Sequence, residues 1–564
     1  MASTPEQQAL LDAFLLPINI DIDTCHILSQ QFLQNFTHLS AESLDQFLPT
    51  PISESILRPV TSLGHGRHLA IDIGGTNLRV GFVEFLASEP NAEAVNGIKK
   101  TDDAGGANGT CPNGVGGRQC PSTSESCPIR LQRRLEKSWP ISHHLKNNNA
   151  DGLFLWIGKC IAEVVEEGCR AFDLANDVSL SLGVTFSFPV EQPSLEKAIT
   201  TSMGKGFAIP ANVDLGEQLQ KAYDRERGAR LPPIRVAAIA NDSVSTLVSF
   251  IFDYDGGKAA HHRRAAMGLI LGTGSNATIP VKLSLLHPSK RPRNVHVLPG
   301  ESVDDAKIAV NTEWSIKGTA APMRELGLIN SWDEELSEQN EKPGFQPLEY
   351  MTAGRYLGEL GRIMLVDYLA RALKLPRAAL PARLFKQDSM TTTFLSHFKP
   401  SAPAALLSKL KKEFPDASCP AFRWTEHHAE ALYRIAKAIE VRAAAIIAAA
   451  IVALLTLGGE LPSEERRAPA PDADIRELGV GYTGGCIVHF QDYLVDCQYF
   501  VDRLVCRRLG ADSRLRVALT ACHDGGITGA GILVAAALCS QTSHSSSGEG
   551  CGGDAANVGT THAV

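Results

Sequence analysis

The chain has no excess of basic charge: 54 lysines and arginines stand against 62 aspartates and glutamates, a net charge of -8. Without a positive footprint, nucleic acid is not an expected partner. The local basic runs at Arg130–Arg134 and His261–Arg264 read as solvated surface. A disulfide framework is also missing. The 13 cysteines are odd in number and scattered, which suits reduced thiols in an intracellular compartment. A cytoplasmic location is expected, with mitochondrial association or nuclear import left open. Cys111, Cys120 and Cys127 lie too far apart for the tight ligand pairs of a metal knuckle. Met1 to Leu16 is helix-like but lacks the basic start and apolar core of a signal peptide. The longest apolar run, Ala443 to Leu457, is too short to span a bilayer and rich in alanine, so it reads as a buried helix packed through small side chains. No internal repeat is visible.

What is present is a 564-residue chain, 44% hydrophobic, enough for a large core and more than one lobe. Residues 17–66 read as helices and connectors. His68 to Phe85 is an apolar run, a Gly-Gly turn and a second apolar run, which predicts a β-hairpin. Residues 86–128 are rich in Gly, Asn, Ser and Pro and read as a mobile surface loop. Phe154 to Phe172 has helical periodicity. Strands are expected at Ser179–Pro189 and Ile234–Ala240, the latter running into a helix at Thr246–Phe252. Met267–Gly272 and Ala277–Val281 predict a second hairpin. Residues 347–373 and 427–457 read as helices, 458–473 as a Pro/Glu/Ala-rich excursion, and the tail from Ser540 as disordered. Strands and helices mix along the whole length, giving an α/β architecture.

Two motifs share one device. Asp72-Ile73-Gly74-Gly75-Thr76-Asn77-Leu78-Arg79 places a Gly-Gly-Thr turn between strands, where successive backbone N–H groups can hold phosphate oxygens and Asp72 can hold Mg²⁺ through water. Leu271-Gly272-Thr273-Gly274-Ser275-Asn276 repeats it further on. Either alone reads equally as an ordinary hairpin turn; together they suggest the phosphate clamp of the actin-like ATPase fold. Further blocks follow: Thr185-Phe186-Ser187-Phe188-Pro189, Gly204-Lys205-Gly206-Phe207, Ala240-Asn241-Asp242-Ser243, Asn311-Thr312-Glu313-Trp314, and Pro343 to Met351 with Gly354 and Tyr356-Leu357-Gly358-Glu359-Leu360. Asn-Asp-Ser before a helix also reads as an N-cap, with Asp242 as the capping residue.

Taken in this order, these blocks resemble the eukaryotic hexokinase family over roughly residues 10–538. The resemblance implies a two-lobed, actin-like (ribonuclease H-like) ATPase fold closing on a sugar. Its expected divisions are 1–66 as the helical start of the large lobe, 67–242 as the small lobe with a variable loop at 86–150, and 243–522 as the large lobe. Residues 523–539 would return to the small lobe, and 540–564 form the tail. Carried over by position, Ser187, Asn241, Asn276, Glu313 and Glu349 would contact the hexose, Asp242 would be the base and Lys205 would offset charge on the transferring phosphoryl group. Asp72, Gly74, Gly75, Thr76, Asn77, Arg79, Gly272, Thr273, Gly274, Gly525 and Gly526 would hold ATP, and Asp72 would hold Mg²⁺ indirectly. The implied activity is phosphorylation of a glucose-like hexose at its 6-hydroxyl, with regulatory protein partners left open.

The chain also departs from the pattern. Gly204 stands where the family has threonine, and Ser245 and Ser315 where it has glycine. In His523-Asp524-Gly525-Gly526-Ile527-Thr528-Gly529 the family's serine has become Gly526, its next glycine Ile527 and its lysine Thr528, while Thr483-Gly484-Gly485 replaces an Asp-Gly-Ser. These changes predict a weakened grip on adenosine, with Ile527 crowding the base, and leave an alternative: a sugar sensor of little or no activity.

Overall fold

The computed structural model describes residues 4–57, 66–87, 129–147, 150–201, 207–256, 262–292, 295, 302–398, 403–416, 422–463 and 475–545. Thirteen strands are described: β1 (Leu48–Ser53), β2 (Gly66–Ile73), β3 (Asn77–Ala87), β4 (Ile129–Pro140), β5 (Leu180–Phe186), β6 (Val190–Ser194), β7 (Lys197–Thr200), β8 (Ile234–Ala240), β9 (Arg263–Leu271), β10 (Ser275–Lys282), β11 (Lys307–Asn311), β12 (Glu477–Thr483) and β13 (Arg516–Ala521). They form two main sheets, ordered β4-β3-β2-β5-β8 and β1-β11-β10-β9-β12-β13, and a β6-β7 ribbon.

The two sheets repeat one plan. In each, three antiparallel strands (β4, β3, β2 and β11, β10, β9) are followed by two parallel ones (β5, β8 and β12, β13). In each, the last strand leads into a helix, Asp242–Asp255 after β8 and Gly525–Ser545 after β13. The duplication is architectural and leaves no repeat in the residues. Backbone topology needs only polarity, period and turns, which many sequences satisfy.

Three cores follow from strand alternation. Leu69, Ile71 and Ile73 of β2 face helices Ala150–Phe172 and Leu215–Arg227, while Ala70 faces the opposite way. That opposite face holds the Asp242–Asp255 and Gly525–Ser545 helices between the two sheets. Glycine lets them come close. A Cβ at Gly183 of β5 would lie 2.2 Å from the Ala530 carbonyl oxygen, and one at Gly529 would lie 2.1 Å from the Ser245 carbonyl oxygen. The third core fills the large lobe around the Glu426–Leu457 helix, where Ala443 to Leu455 are at most 1% exposed. This helix is long and apolar enough to cross a membrane, but here it is the centre of a folded core. Its Arg442, 1% exposed, is matched by Asp333 through two bonds of 2.7 and 2.8 Å.

Several expectations need correction. Residues 17–66 are not only helices and connectors, because β1 extends the large sheet by pairing with β11. The variable loop does not run to 150. β4 pairs along β3 from Ile129↔Ala87 to Pro140↔Asn77, and helices begin at His143 and Ala150; residues 88–128, with Cys111, Cys120 and Cys127, lie outside the described residues. The basic run Arg130–Arg134 is exposed as expected, but it lies on β4, where Arg134 pairs with Glu84 and Arg133 with Asp524. Arg264 pairs with Glu54 and Glu460. The stretch 347–373 breaks between helices Pro347–Thr352 and Leu357–Asp367. The last helix continues to Ser545, so residues 540–545 are helical and the segment expected to end at 539 does not.

Candidate active site

Both glycine turns sit at the same end of the β2-β3 and β9-β10 hairpins. Gly74 N–H donates to the Asn77 carbonyl (2.9 Å), and Gly272 N–H donates to the Gly274 carbonyl (3.0 Å). Each turn is then held from outside by donors to its remaining carbonyls. Lys146 Nζ reaches the Gly75 carbonyl at 2.6 Å and Ile141 N–H the Thr76 carbonyl at 2.8 Å. Gly354 N–H reaches the Gly272 carbonyl at 2.8 Å and Arg355 N–H the Thr273 carbonyl at 3.2 Å. Lys146 carries no motif, and only the fold brings it to the turn.

On the large-lobe side, residues from separate blocks converge. Asn276 Nδ2 donates to Asn311 Oδ1 (2.8 Å) and Glu313 Oε1 (3.1 Å), and Asn311 Nδ2 donates to the same Glu313 oxygen (2.8 Å). Glu349 accepts from Ser275 N–H (3.0 Å) and from the Tyr356 hydroxyl (3.3 Å). Burial first, then the Glu349 charge, push the Tyr356 phenol well above its ordinary range, keeping it a donor. Glu313 has φ 45°, an uncommon value for a side-chain-bearing residue. Its backbone is pinned by Gln46 Nε2 on its carbonyl (2.9 Å) and by buried Trp314, whose indole donates to Ser275 Oγ (3.0 Å). Strain held this firmly is characteristic of functional positions.

The helix carrying Asp242 joins this cluster. Its N-cap is Asn241, which corrects the expectation that Asp242 caps it: Asn241 Oδ1 accepts from Ser243 N–H (2.9 Å), and Asp242 is the first helical residue. Ser243 Oγ links to Asn241 Oδ1 (2.8 Å), Thr278 Oγ1 (2.7 Å) and Asn311 Oδ1 (3.4 Å). Asn311, Ser243 and Thr278 therefore tie the helix carrying Asp242 to the carboxylate cluster. The sequence places Ser243 and Asn311 in motif blocks without giving them a role, and Thr278 in none, because a buried polar side chain looks ordinary until its partners are known.

A cavity of about 420 Å³ lies between the lobes, lined by Asp72, Gly74, Thr76, Asn77, Arg79, Ser187, Asp242, Thr246, Ile270, Thr483, His523, Asp524, Gly525 and Gly526. Burial raises the Asp72 carboxyl to about 7; Arg79 opposes this, while Asp242, Glu136 and Asp524 add to it. A cation beside it would favour the ionised carboxylate. Among the described residues no three acidic, His or Cys side chains form a cage. The donor set thus suits Mg²⁺, which keeps its waters and takes phosphate oxygens beside one carboxylate. The Gly272–Gly274 turn lies against Gly484, where a Cβ would meet Gly272 N at 2.6 Å. Lys205 and Gly204 lie outside the described residues.

The expected crowding by Ile527 does not occur. Its side chain is 1% exposed and belongs to the core between the sheets. Gly526 also changes meaning, because a Cβ there would sit 2.6 Å from Asp72 Oδ2. Thr185 Oγ1 donates to the Gly526 carbonyl (2.7 Å) and shares a 2.7 Å bond with Ser245 Oγ. Thr185 thus bridges the Ser245 hydroxyl and the Gly526 backbone.

Comparison with known proteins agrees with this geometry. Two profiles described as hexokinase match residues 10–252 and 266–536. Hexokinase-2 of Rattus norvegicus is 31% identical over 272 residues, 48% of this chain, and the chain spans only 26% of that relative's length. Hexokinase-7 of Oryza sativa is 27% identical over 482 residues, 84% of each chain. The solved hexokinase of Schistosoma mansoni, complexed with glucose, superposes with a TM-score of 0.66 at 22% identity, covering 94% of this chain and 99% of that one. That likeness is one of fold, the two-lobed α/β arrangement described above. With the two profiles together covering both sheets, the chain belongs to the eukaryotic-type hexokinase family.

Proposed function

We propose that this chain transfers the terminal phosphoryl group of ATP to the 6-hydroxyl of a glucose-like hexose. The observation that carries the reading is the convergence of Asn276, Asn311 and Glu313 with the Asn241–Asp242 helix start, joined by hydrogen bonds through Ser243, with Glu349 bonded to the Ser275 N–H beside Asn276. Carboxylates and amides fixed in this way satisfy sugar hydroxyls that both donate and accept, and they reject substrates lacking them. The structures of relatives point the same way: the Schistosoma mansoni neighbour is described as complexed with glucose.

In this reading the hexose rests on the large-lobe cluster with its primary hydroxyl toward Asp242, which takes the proton. Ser187 closes the sugar side from the small lobe. The two glycine turns hold the phosphates, and Arg79 faces them from β3. Asp72 would hold Mg²⁺ through water, supplying charge neutralisation. Positioning and electrostatics dominate phosphoryl transfer, so these groups suffice. Because Ile527 and Gly526 do not obstruct the cavity, an active kinase is favoured over a silent sensor.

The test is a coupled assay of purified chain with Mg·ATP and glucose, mannose, fructose and glucosamine, alongside Asp242→Ala. Turnover with at least one hexose is expected, lowered roughly 10²–10⁴-fold in the variant with hexose binding retained. Hexose binding without any phosphoryl transfer in the wild-type chain would replace this reading with the sensor.

A further inference from the structure

Arg133 belongs to no motif, and its position follows from an irregularity in β4. Across β3, Phe82 faces Arg134 and Val83 faces Arg133, but Val80 faces Lys137, so one extra residue is inserted opposite Gly81. Leu135 takes φ 52° at this bulge, and a Cβ on Gly81 would come within 3.0 Å of the Glu136 Cα. A bulge of this kind shifts the alternation by one. Arg133 and Glu136 therefore reach the same face, where they pair at 2.9 Å. It is the face of Val83 and Phe85, and by period two also of Arg79.

There the two guanidinium groups converge on one carboxylate. Arg79 Nη1 lies 2.7 Å from Asp524 Oδ1, and Arg133 Nη2 lies 2.8 Å from Asp524 Oδ2. Asp524 is on the cavity wall with Asp72, Thr76 and Gly525, in the left-handed region at φ 55°. All three side chains remain about a third exposed, so a ligand can reach them.

We propose that Arg133 is a second phosphate-binding residue, which forms with Arg79 a two-arginine clamp on the polyphosphate of the nucleotide, and that Asp524 holds both guanidinium groups until that anion replaces it. The inference rests on the nucleotide reading of this cavity. A polyphosphate offers more charge and more oxygens in fork geometry than one carboxylate, so the exchange favours it. The 21-residue helix starting at Gly525 adds its N–H groups beside the same spot.

Calorimetry on the full chain tests it, with inorganic tripolyphosphate, Mg·ATP, adenosine and glucose as separate probes. Arg133→Gln should weaken tripolyphosphate and Mg·ATP about 10–100-fold, the loss of one charged hydrogen-bonding partner, and leave adenosine and glucose unchanged. Arg133→Lys should restore part of the affinity, and it is the variant to read should the glutamine form not fold. Asp524→Asn should tighten tripolyphosphate several-fold. Wild-type affinity for tripolyphosphate in both Arg133 variants, or no binding of it by the wild type, overturns the clamp. Glucose phosphorylation by the wild type separates the two ideas. Turnover with Arg133 indifferent keeps the kinase and ends the clamp, whereas Arg133-dependent tripolyphosphate binding without turnover keeps the clamp and ends the kinase.

Discussion

The turns at Gly74 and Gly272 occupy equivalent hairpins in two sheets of the same plan, yet they are held by different means. The first is fixed by a lysine side chain and one amide, and its Thr76 and Asn77 stand exposed. The second is fixed by two amides and by close backbone approach: a Cβ on Gly354 would meet the Gly272 carbonyl at 2.8 Å, and one on Gly484, at φ 125°, the Leu271 carbonyl carbon at 2.4 Å. One brace is a charge, the other is the absence of side chains. The first should therefore yield gradually to changes in charge, and the second should fail abruptly when any carbon is added.

The largest effect is expected at Gly484. Alanine there combines a left-handed backbone with a steric overlap, destabilising by at least about 3 kcal/mol and lowering turnover more than tenfold. Gly485→Ser is the control, since a Cβ there meets nothing closer than His489 Cδ2 at 3.9 Å, and it should melt as the wild type does. Equal melting temperatures for Gly484→Ala and Gly485→Ser would erase the contrast.

Next comes Lys146→Met, which removes the donor to Gly75 together with the ammonium over the Phe207 ring. Losing a charged hydrogen bond is worth about 2 kcal/mol, and it should appear as a raised KM for Mg·ATP with little change in hexose affinity. A stronger loss of hexose affinity than of nucleotide affinity would show that the first turn serves the sugar instead.

The smallest effect lies behind the second turn. Glu440 is fully buried in the large lobe; burial lifts its carboxyl to about 8, against the pull of Lys437, with Asp496 adding to the rise. Lys437, Asp492, Asp496, Cys486, Tyr493 and Cys497 are the titratable groups around it. With the folded-state value raised, stability is fully present below the ordinary range near 4.5 and is lost as pH climbs through 8. Glu440→Gln should therefore stabilise by about 1 kcal/mol at pH 9, with the gain shrinking toward pH 5. Thermal melts at the two pH values check it, and a gain independent of pH would remove the titration from the explanation.

Much of this was legible in the residues. The hairpins announce themselves by apolar runs around Gly-Gly-Thr and Gly-Thr-Gly, and Asn241-Asp242-Ser243 marks a strand-to-helix junction. These are local signals, carried by turn chemistry and by periods of two and 3.6. Ile527 is not legible in the motif, because position in a motif says nothing about which way a side chain points; its place in the helix turns it into the core. Gly526 looked like a loss until the Asp72 carboxylate was found where its side chain would go.

By itself the sequence determined the α/β class, the order of the blocks and the chemical character of the cleft, because composition, turn residues and strand pattern act over a few neighbours. Only the tertiary structure decided that two unlike halves share one plan, and that Lys146, Ser243 and Asn311 serve the site. It alone placed Arg133 beside Arg79 across Asp524, a contact set by a bulge in β4 and by a loop hundreds of positions away. Such contacts depend on burial and on the approach of distant backbones, quantities that exist only once the chain has closed on itself.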